Sequence, residues 1–465
     1  MDRRNFLKYS SAAGIAATLG NTTIQASTIS KRKGYLMEKE REIPVKGEFD
    51  VIVCGGGPAG VAAAIEAGRL GAKTMLIENN GCLGGVWTSG SLTWILDYHH
   101  QKGILREITE ELIKRGAKSP IDTGERAYSF DLESMKLLLD ELCEDALVSL
   151  RFHTRVCNAI VEKSRLTHII TESKSGREAW KAAIFVDATG DGDLAAQAGC
   201  NFDFGDSSHN NATQPFSLLG IVTGIEFDEI KHCALSSLQP AIESKRNLLE
   251  VIEKGGFEPS YRQPSLHPIS QNLFKLMCNH EYGFSAINAD DITKATIIGR
   301  HELWSVINAL KKVGGPWKNI SLVSSAEQIG TREGRRIHGR YTVSENDLRD
   351  GIFHPDAIAE VRFGVDVHSV EKKSDNTNIS YSRGIKSKPY TIPLRALIAK
   401  EVDGLMLAGR CISGDFIAHS SYRVTGPVTT IGQAAGRAAA ISVQMKKLPQ
   451  EMVFEDFEFT TIERQ

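Results

Sequence analysis

The densest chemical signal in the chain is Gly55-Gly56-Gly57-Pro58-Ala59-Gly60, with Glu78 closing the apolar run that follows. The spacing G-x-G-x-x-G suits the holding of a dinucleotide. Gly55 permits a tight turn, Gly57 lets backbone approach a pyrophosphate, and Gly60 allows a helix to pack closely on a strand. Pro58 and Ala59 open that helix, whose N-terminal N–H groups and positive dipole end face the phosphates. A carboxylate at Glu78 accepts hydrogen bonds from the ribose hydroxyls of an adenosine and repels a 2′-phosphate.

Those residues act together only if the elements around them fall in order. Val51-Ile52-Val53-Cys54 reads as a buried parallel strand. An Ala-rich helix follows from Pro58 to about Leu70, with Gly71 as its stop, and Thr74-Met75-Leu76-Ile77 is the next strand. A glycine-rich turn without a ligand is the plain alternative. Strand, glycines, helix, strand and acid in sequence decide against it. FAD and NAD share this fingerprint, so these residues leave the choice between them open.

The chain has 465 residues, 41% of them hydrophobic, which allows two or three domains and a large core. A formal net charge of -2 gives no general electrostatic case for nucleic-acid binding. None of the eight cysteines forms a C-x-x-C pair, so no zinc ribbon, cluster-binding run or redox dithiol is signalled, and no metal site is expected. Arg3-Arg4-Asn5-Phe6-Leu7-Lys8, then a short apolar run and small residues near Ala26, has the form of a signal peptide and resembles the twin-arginine export motif. Residues 1–26 are therefore read as an export signal to the periplasm or beyond, with no stable membrane span. Residues 27–47 read as a polar linker.

Further motifs carry a resemblance that covers nearly the whole chain after residue 50. Phe185-Val186-Asp187-Ala188-Thr189-Gly190-Asp191 is a buried-strand pattern ending in A-T-G, and Leu407-Ala408-Gly409-Arg410 precedes Gly432-Gln433-Ala434-Ala435-Gly436. With Cys82-Leu83-Gly84-Gly85, the stretch Ile329 to Leu348 and Asp366-Val367-His368, they are distributed from Asp50 to about Ala440. The chain resembles bacterial FAD-dependent oxidoreductases with a glutathione-reductase-type FAD domain. These are related to the FAD-carrying part of the heterodisulfide reductases and, distantly, to fumarate-reductase flavoproteins.

The resemblance implies FAD, held by an α/β fold. A discontinuous Rossmann-type FAD-binding domain is expected at 48–204 and 395–445, with an inserted α+β substrate or cap domain at 205–394 and a tail at 446–465. Beyond the first loop, it implies cofactor contacts from Gly84 and Gly85, and from Val156 near the adenine. Ala188, Thr189, Gly190 and Asp191 follow from the second motif, and Gly409, Arg410, Pro427, Val428 and Gln433 from the late return. Heterodisulfide reductases also carry cysteine clusters for iron–sulfur centres. This chain has none, so no such cluster is expected. Nor is there a second G-x-G-x-x-G unit, which points to electrons entering or leaving by substrate, quinone or a small carrier rather than bound nicotinamide.

Pro427 opens a helix whose dipole and free amides, if aimed at the flavin, stabilise negative charge on its reduction. Just before it, Phe416 to Arg423 is similar to the segment of fumarate-reductase-type flavoproteins that carries a substrate-gripping arginine. Arg423 is thus the candidate anion grip, with a guanidinium fork that matches a carboxylate. His419 is the candidate proton carrier, because an imidazole titrates near neutrality. Arg332, Arg335 and Arg336 form a second charged group, for which surface pairing is the plainer reading. His99, His100 and His368 read more simply as structural. The expected reaction is hydride transfer between flavin and a small organic substrate of the hydroxy/keto acid or unsaturated carboxylate class. The alternatives are a sugar or polyol oxidase and a flavin-bearing electron-transfer protein without its own substrate.

Overall fold

Val51 to Cys54 are wholly buried, as a strand covered on both faces requires. The computed structural model describes residues 36, 38, 40–124, 127–371 and 380–459. The expected export signal lies outside them. Strand Val45–Cys54 sits between parallel strands Thr74–Ile77 and Gly176–Asp187, and Ser149–Arg151 extends the sheet beyond Thr74–Ile77.

Strand Gly176–Asp187 is shared by two kinds of neighbour. Its first half pairs antiparallel with Arg165–Ser173, which in turn pairs with Arg155–Glu162. Its Phe185–Asp187 end pairs parallel with Leu405–Leu407, the late return of the chain. Cys54 is opposite both Ile77 and Asp187, Ile77 is opposite Arg151, and Leu407 is opposite Asp187. All five parallel strands therefore release their loops along one edge, where open α/β sheets bind their ligands.

Helix Pro58–Arg69 packs on helix Thr425–Met445, both rich in small residues. Helix Leu132–Asp145 starts where Asp131 accepts a hydrogen bond from the Ser134 N–H at 2.8 Å. A separate antiparallel sheet runs in the order Ser265–Pro268, Leu273–Met277, Gly220–Thr223, Ser321–Ser325. Helices Ala241–Lys254 and Ala289–Val313 accompany it. Its hydrophobic core draws on Phe216 to Ile329, together with Ile121. Ile337 to Ile398 contribute instead to the core beneath the parallel sheet. Among the described residues, no helix is long and apolar enough to cross a membrane.

Candidate functional site

Gly55 takes φ 101°, and a Cβ there would lie 2.4 Å from the Ala188 carbonyl oxygen, so the first loop runs directly on the second. A Cβ on Gly60 would sit 1.8 Å from the Gly55 carbonyl oxygen, which is the tight helix start the spacing requires. Over Gly57 the situation reverses. Among the described residues, no heavy atom outside its own helix and chain neighbours stands within 4 Å of where its Cβ would be, and no side chain caps the helix it begins. The Cys82–Gly85 segment closes on this loop: the Gly84 N–H donates to Gly56 O at 2.8 Å, and a Cβ on Gly85 would meet Gly57 Cα at 2.9 Å.

Glu78 is buried at the end of its strand. Its Oε2 accepts from the Gly56 N–H at 2.5 Å and its Oε1 from the Asn80 N–H at 2.7 Å. A carboxylate offers about four acceptor positions, so two remain for ribose hydroxyls. Backbone bonds join Glu78 to Arg151 and Thr154, which brings the start of strand Arg155–Glu162 alongside. Val156 there is buried, opposite Thr171, and its carbonyl accepts from Gln197 Nε2 at 3.4 Å.

The second loop has an organiser that the sequence reading passed over. Asp187 Oδ1 accepts from the Thr189 N–H at 3.0 Å and the Thr189 hydroxyl at 2.7 Å, while Oδ2 accepts from the Ala195 N–H at 2.8 Å. Burial pushes this carboxyl up to about 6, against those hydrogen bonds. The signal was present as an acid placed at the very end of an apolar strand. Ala188, Thr189 and Gly190 are thereby fixed beside Gly55. Asp191 forms an ion pair with Arg410, whose Nη2 also donates to Thr331 Oγ1 at 3.0 Å.

The late return meets the first loop. A Cβ on Gly409 would be 3.1 Å from Ala59 Cβ and 3.8 Å from Val428 Cγ1, so Gly409, Ala59 and Val428 converge. Pro427 and Val428 stand in the first turn of Thr425–Met445, whose start also has no side-chain cap. Gln433 is placed elsewhere. Its Oε1 accepts from the Ile104 N–H at 3.0 Å and its Nε2 donates to Glu66 at 2.9 Å, beside Arg437, which donates to the same carboxylate at 3.0 Å. That amide clamps two helices and a neighbouring segment.

Arg423 donates from Nη1 to Arg332 O at 2.8 Å and from Nη2 to Gln214 Oε1 at 3.0 Å and Asp366 O at 2.7 Å. Arg332 donates from Nη1 to Pro215 O at 2.5 Å and Ser217 Oγ at 3.0 Å. Among the described residues, the acceptors of both guanidiniums are uncharged. Burial pushes Arg423 down to about 10, against the nearby Asp366, and lowers Arg332 in the same direction. Arg335 and Arg336 differ: the first pairs with Asp193 and the second with buried Glu333.

His419 is fully buried on the short helix Phe416–Tyr422, its ring edge-on to Tyr422 at 5.7 Å. Neither ring nitrogen has a hydrogen-bond partner among the described residues. Burial, then Arg423, Arg336 and Arg410, hold the imidazole well below its ordinary range, so it is neutral. His99 and His100 belong to a segment distant in sequence from these residues, and His100 bonds to Gln101 and the Glu360 carbonyl.

Open backbone at Gly57, two uncapped helix starts and a half-satisfied acid at a strand end fit a pyrophosphate-bearing adenosine dinucleotide. Fold and site together define a Rossmann-type dinucleotide-binding protein. A family model described as FAD dependent oxidoreductase matches residues 50–460, and the chain belongs to that family, with FAD as its cofactor. Dihydrolipoyl dehydrogenase of Trypanosoma brucei brucei is 51% identical over 45 residues, covering 10% of this chain and 9% of that one. Soluble pyridine nucleotide transhydrogenase of Chromohalobacter salexigens is 33% identical over 153 residues, covering 30% of each. The chain thus spans less than a third of either curated relative. A geranylgeranyl bacteriochlorophyll reductase-like protein from Thermoplasma acidophilum superposes with TM-score 0.48 and 13% identity, over 89% of this chain and 82% of its own.

Proposed function

We propose that this flavoprotein transfers a hydride between FAD and a small organic carboxylate, of the hydroxy/keto acid or unsaturated carboxylate class. One observation carries the reading: Arg332 and Arg423 are adjacent, half-buried guanidiniums whose hydrogen bonds among the described residues go to uncharged oxygens. Two neighbouring guanidiniums repel one another, and a bound anion offsets that repulsion.

FAD, when bound, is the group that takes or gives the hydride. The glycine loop and Glu78 hold its adenosine half, and Asp187 and Asp191 set the loops that flank it. The uncapped N-terminal turn of Thr425–Met445, with its dipole, favours negative charge in front of it. Arg423 and Arg332 orient the carboxylate, and the neutral ring of His419 exchanges a proton. A quinone or small carrier completes the electron path. Export through the twin-arginine route is proposed on Arg3-Arg4-Asn5-Phe6-Leu7-Lys8 alone.

Anaerobic addition of hydroxy acids, unsaturated acids, sugars and polyols to the purified holoprotein tests the reading. Bleaching of the flavin bands by a carboxylate is expected. Bleaching only by uncharged sugars would overturn the substrate class, and bleaching only by dithionite or a partner protein would make the chain an electron carrier.

A further inference from the structure

Gln214, His280 and the Asp366–His368 pair come from three widely separated segments and meet beside Arg332 and Arg423. Gln214 Oε1 accepts from Arg423 Nη2 at 3.0 Å and from the His368 backbone N–H at 2.9 Å, so one oxygen ties the histidine to the guanidinium. The His280 ring lies 4.9 Å from that of His368, at 75°. Both imidazoles are buried, His280 to 1% exposure and His368 to 6%. His280 Nε2 and His368 Nδ1 have no hydrogen-bond partner among the described residues. Burial, and after it Arg332, pushes His368 down to about 4 and His280 well below its ordinary range, so both rings are neutral.

A neutral imidazole carries one N–H and one lone pair, and its partner decides which nitrogen has which. His368 Nε2 faces Asp366 Oδ2 at 3.3 Å. A carboxylate only accepts, so the proton sits on Nε2 and Nδ1 keeps its lone pair. A buried acceptor of this kind seeks a hydrogen-bond donor. Among the described residues no guanidinium N–H donates to it.

We propose that the Asp366–His368 pair makes this anion site select a hydroxy acid over the matching keto acid, with the carboxylate on Arg332 and Arg423 and the hydroxyl donating to His368 Nδ1. A keto oxygen in the same place would set lone pair against lone pair. The inference rests on the carboxylate reading above and goes beyond it by choosing the alcohol member of the pair. His368 is here a specificity residue, and Asp366 positions it.

Calorimetric titration of the oxidised holoprotein tests this without turnover. The probes are 2-hydroxy-2-methylpropanoate against pyruvate, and citramalate against oxaloacetate; the two tertiary hydroxy acids have no α-hydrogen to surrender. The hydroxy acids should bind about tenfold more tightly than their keto partners, the effect of one satisfied against one opposed hydrogen bond. In Asp366→Asn, whose amide can donate to Nε2, the preference is expected to be lost or reversed. In His368→Leu it should disappear while both carboxylates still bind. Equal affinity for both members of each pair in the natural protein overturns the selectivity and leaves the carboxylate reading standing. No binding of any of the four, with flavin still bound, overturns both.

Discussion

A Cβ placed on Gly432 would lie 2.1 Å from the carbonyl oxygen of Ala59, and one helical turn on, a Cβ at Gly436 would lie 2.0 Å from that of Ala63. The last long helix therefore crosses the glycine-loop helix at backbone contact, and only glycine permits it. The crossing also sets where Val428 and Gly409 stand relative to Ala59. Gly432→Ala should push the helices apart at a cost of about 1–3 kcal/mol or more. The expected result is a lower thermal midpoint with FAD lost on dialysis. Gly436→Ala, farther from the loops, should lower the midpoint comparably and retain more FAD. Equal retention in both variants would separate the crossing from the cofactor.

Glu78 bridges the first loop and its own strand end through the N–H groups of Gly56 and Asn80. Glutamine has one acceptor oxygen, and its NH₂ would face one of those N–H groups. Glu78→Gln should weaken FAD binding by about 10- to 100-fold, the range for hydrogen bonds to a charged group. Fluorescence titration of apoprotein with FAD measures it. An unchanged dissociation constant would remove Glu78 from the ribose.

How far the site could be read in advance follows from how local each part is. Gly55 to Glu78 is one contiguous strand–loop–helix–strand unit, and each residue's neighbours are set by sequence spacing, so the loop was legible. Asp187 was visible as a motif member, yet its role depends on Ala195, which a short helix brings back to it. Gln433 was placed with the cofactor because its motif runs through the glycines, but the helical twist turns its amide toward Glu66 and Ile104. Arg332 looked like one of several surface charges. Only the fold distinguishes it from Arg335 and Arg336, which have acidic partners. His280 carried no sequence signal at all, since its ring meets His368 only when the second sheet is laid down.

Arg423 ties Arg332, Gln214 and Asp366 together from one planar fork. A lysine carries the charge but cannot bond three acceptors in that geometry. Arg423→Lys should keep the flavin spectrum and lower kcat/KM for the carboxylate substrate by about a hundredfold. Arg335→Lys, whose partner Asp193 is half exposed, should change it little. Comparable losses in the two variants would show that Arg423 has no special part in gripping substrate.

His267, His280, His368 and His419 are all buried and all held below the ordinary imidazole range, chiefly by burial. In the unfolded chain each takes a proton near pH 6.5, as an unperturbed histidine does. The folded state then binds fewer protons than the unfolded one, so these groups favour folding above about pH 6.5 and lose that contribution as pH falls below it. Asp187 acts in the opposite sense. Its carboxyl, raised to about 6, binds a proton in the folded state before the unfolded chain does, which offsets part of one histidine. The thermal midpoint should therefore fall between about pH 7.5 and pH 6, with protons taken up on unfolding at the lower end. Calorimetry in buffers of different ionisation enthalpy counts them. His267→Gln should remove about one proton from that count, because only the unfolded chain carries it. A midpoint that stays level across the window would mean that these rings are charged in the folded protein, and the neutral acceptor at His368 would go with them. An uptake unaltered in the variant would mean the same of His267 alone.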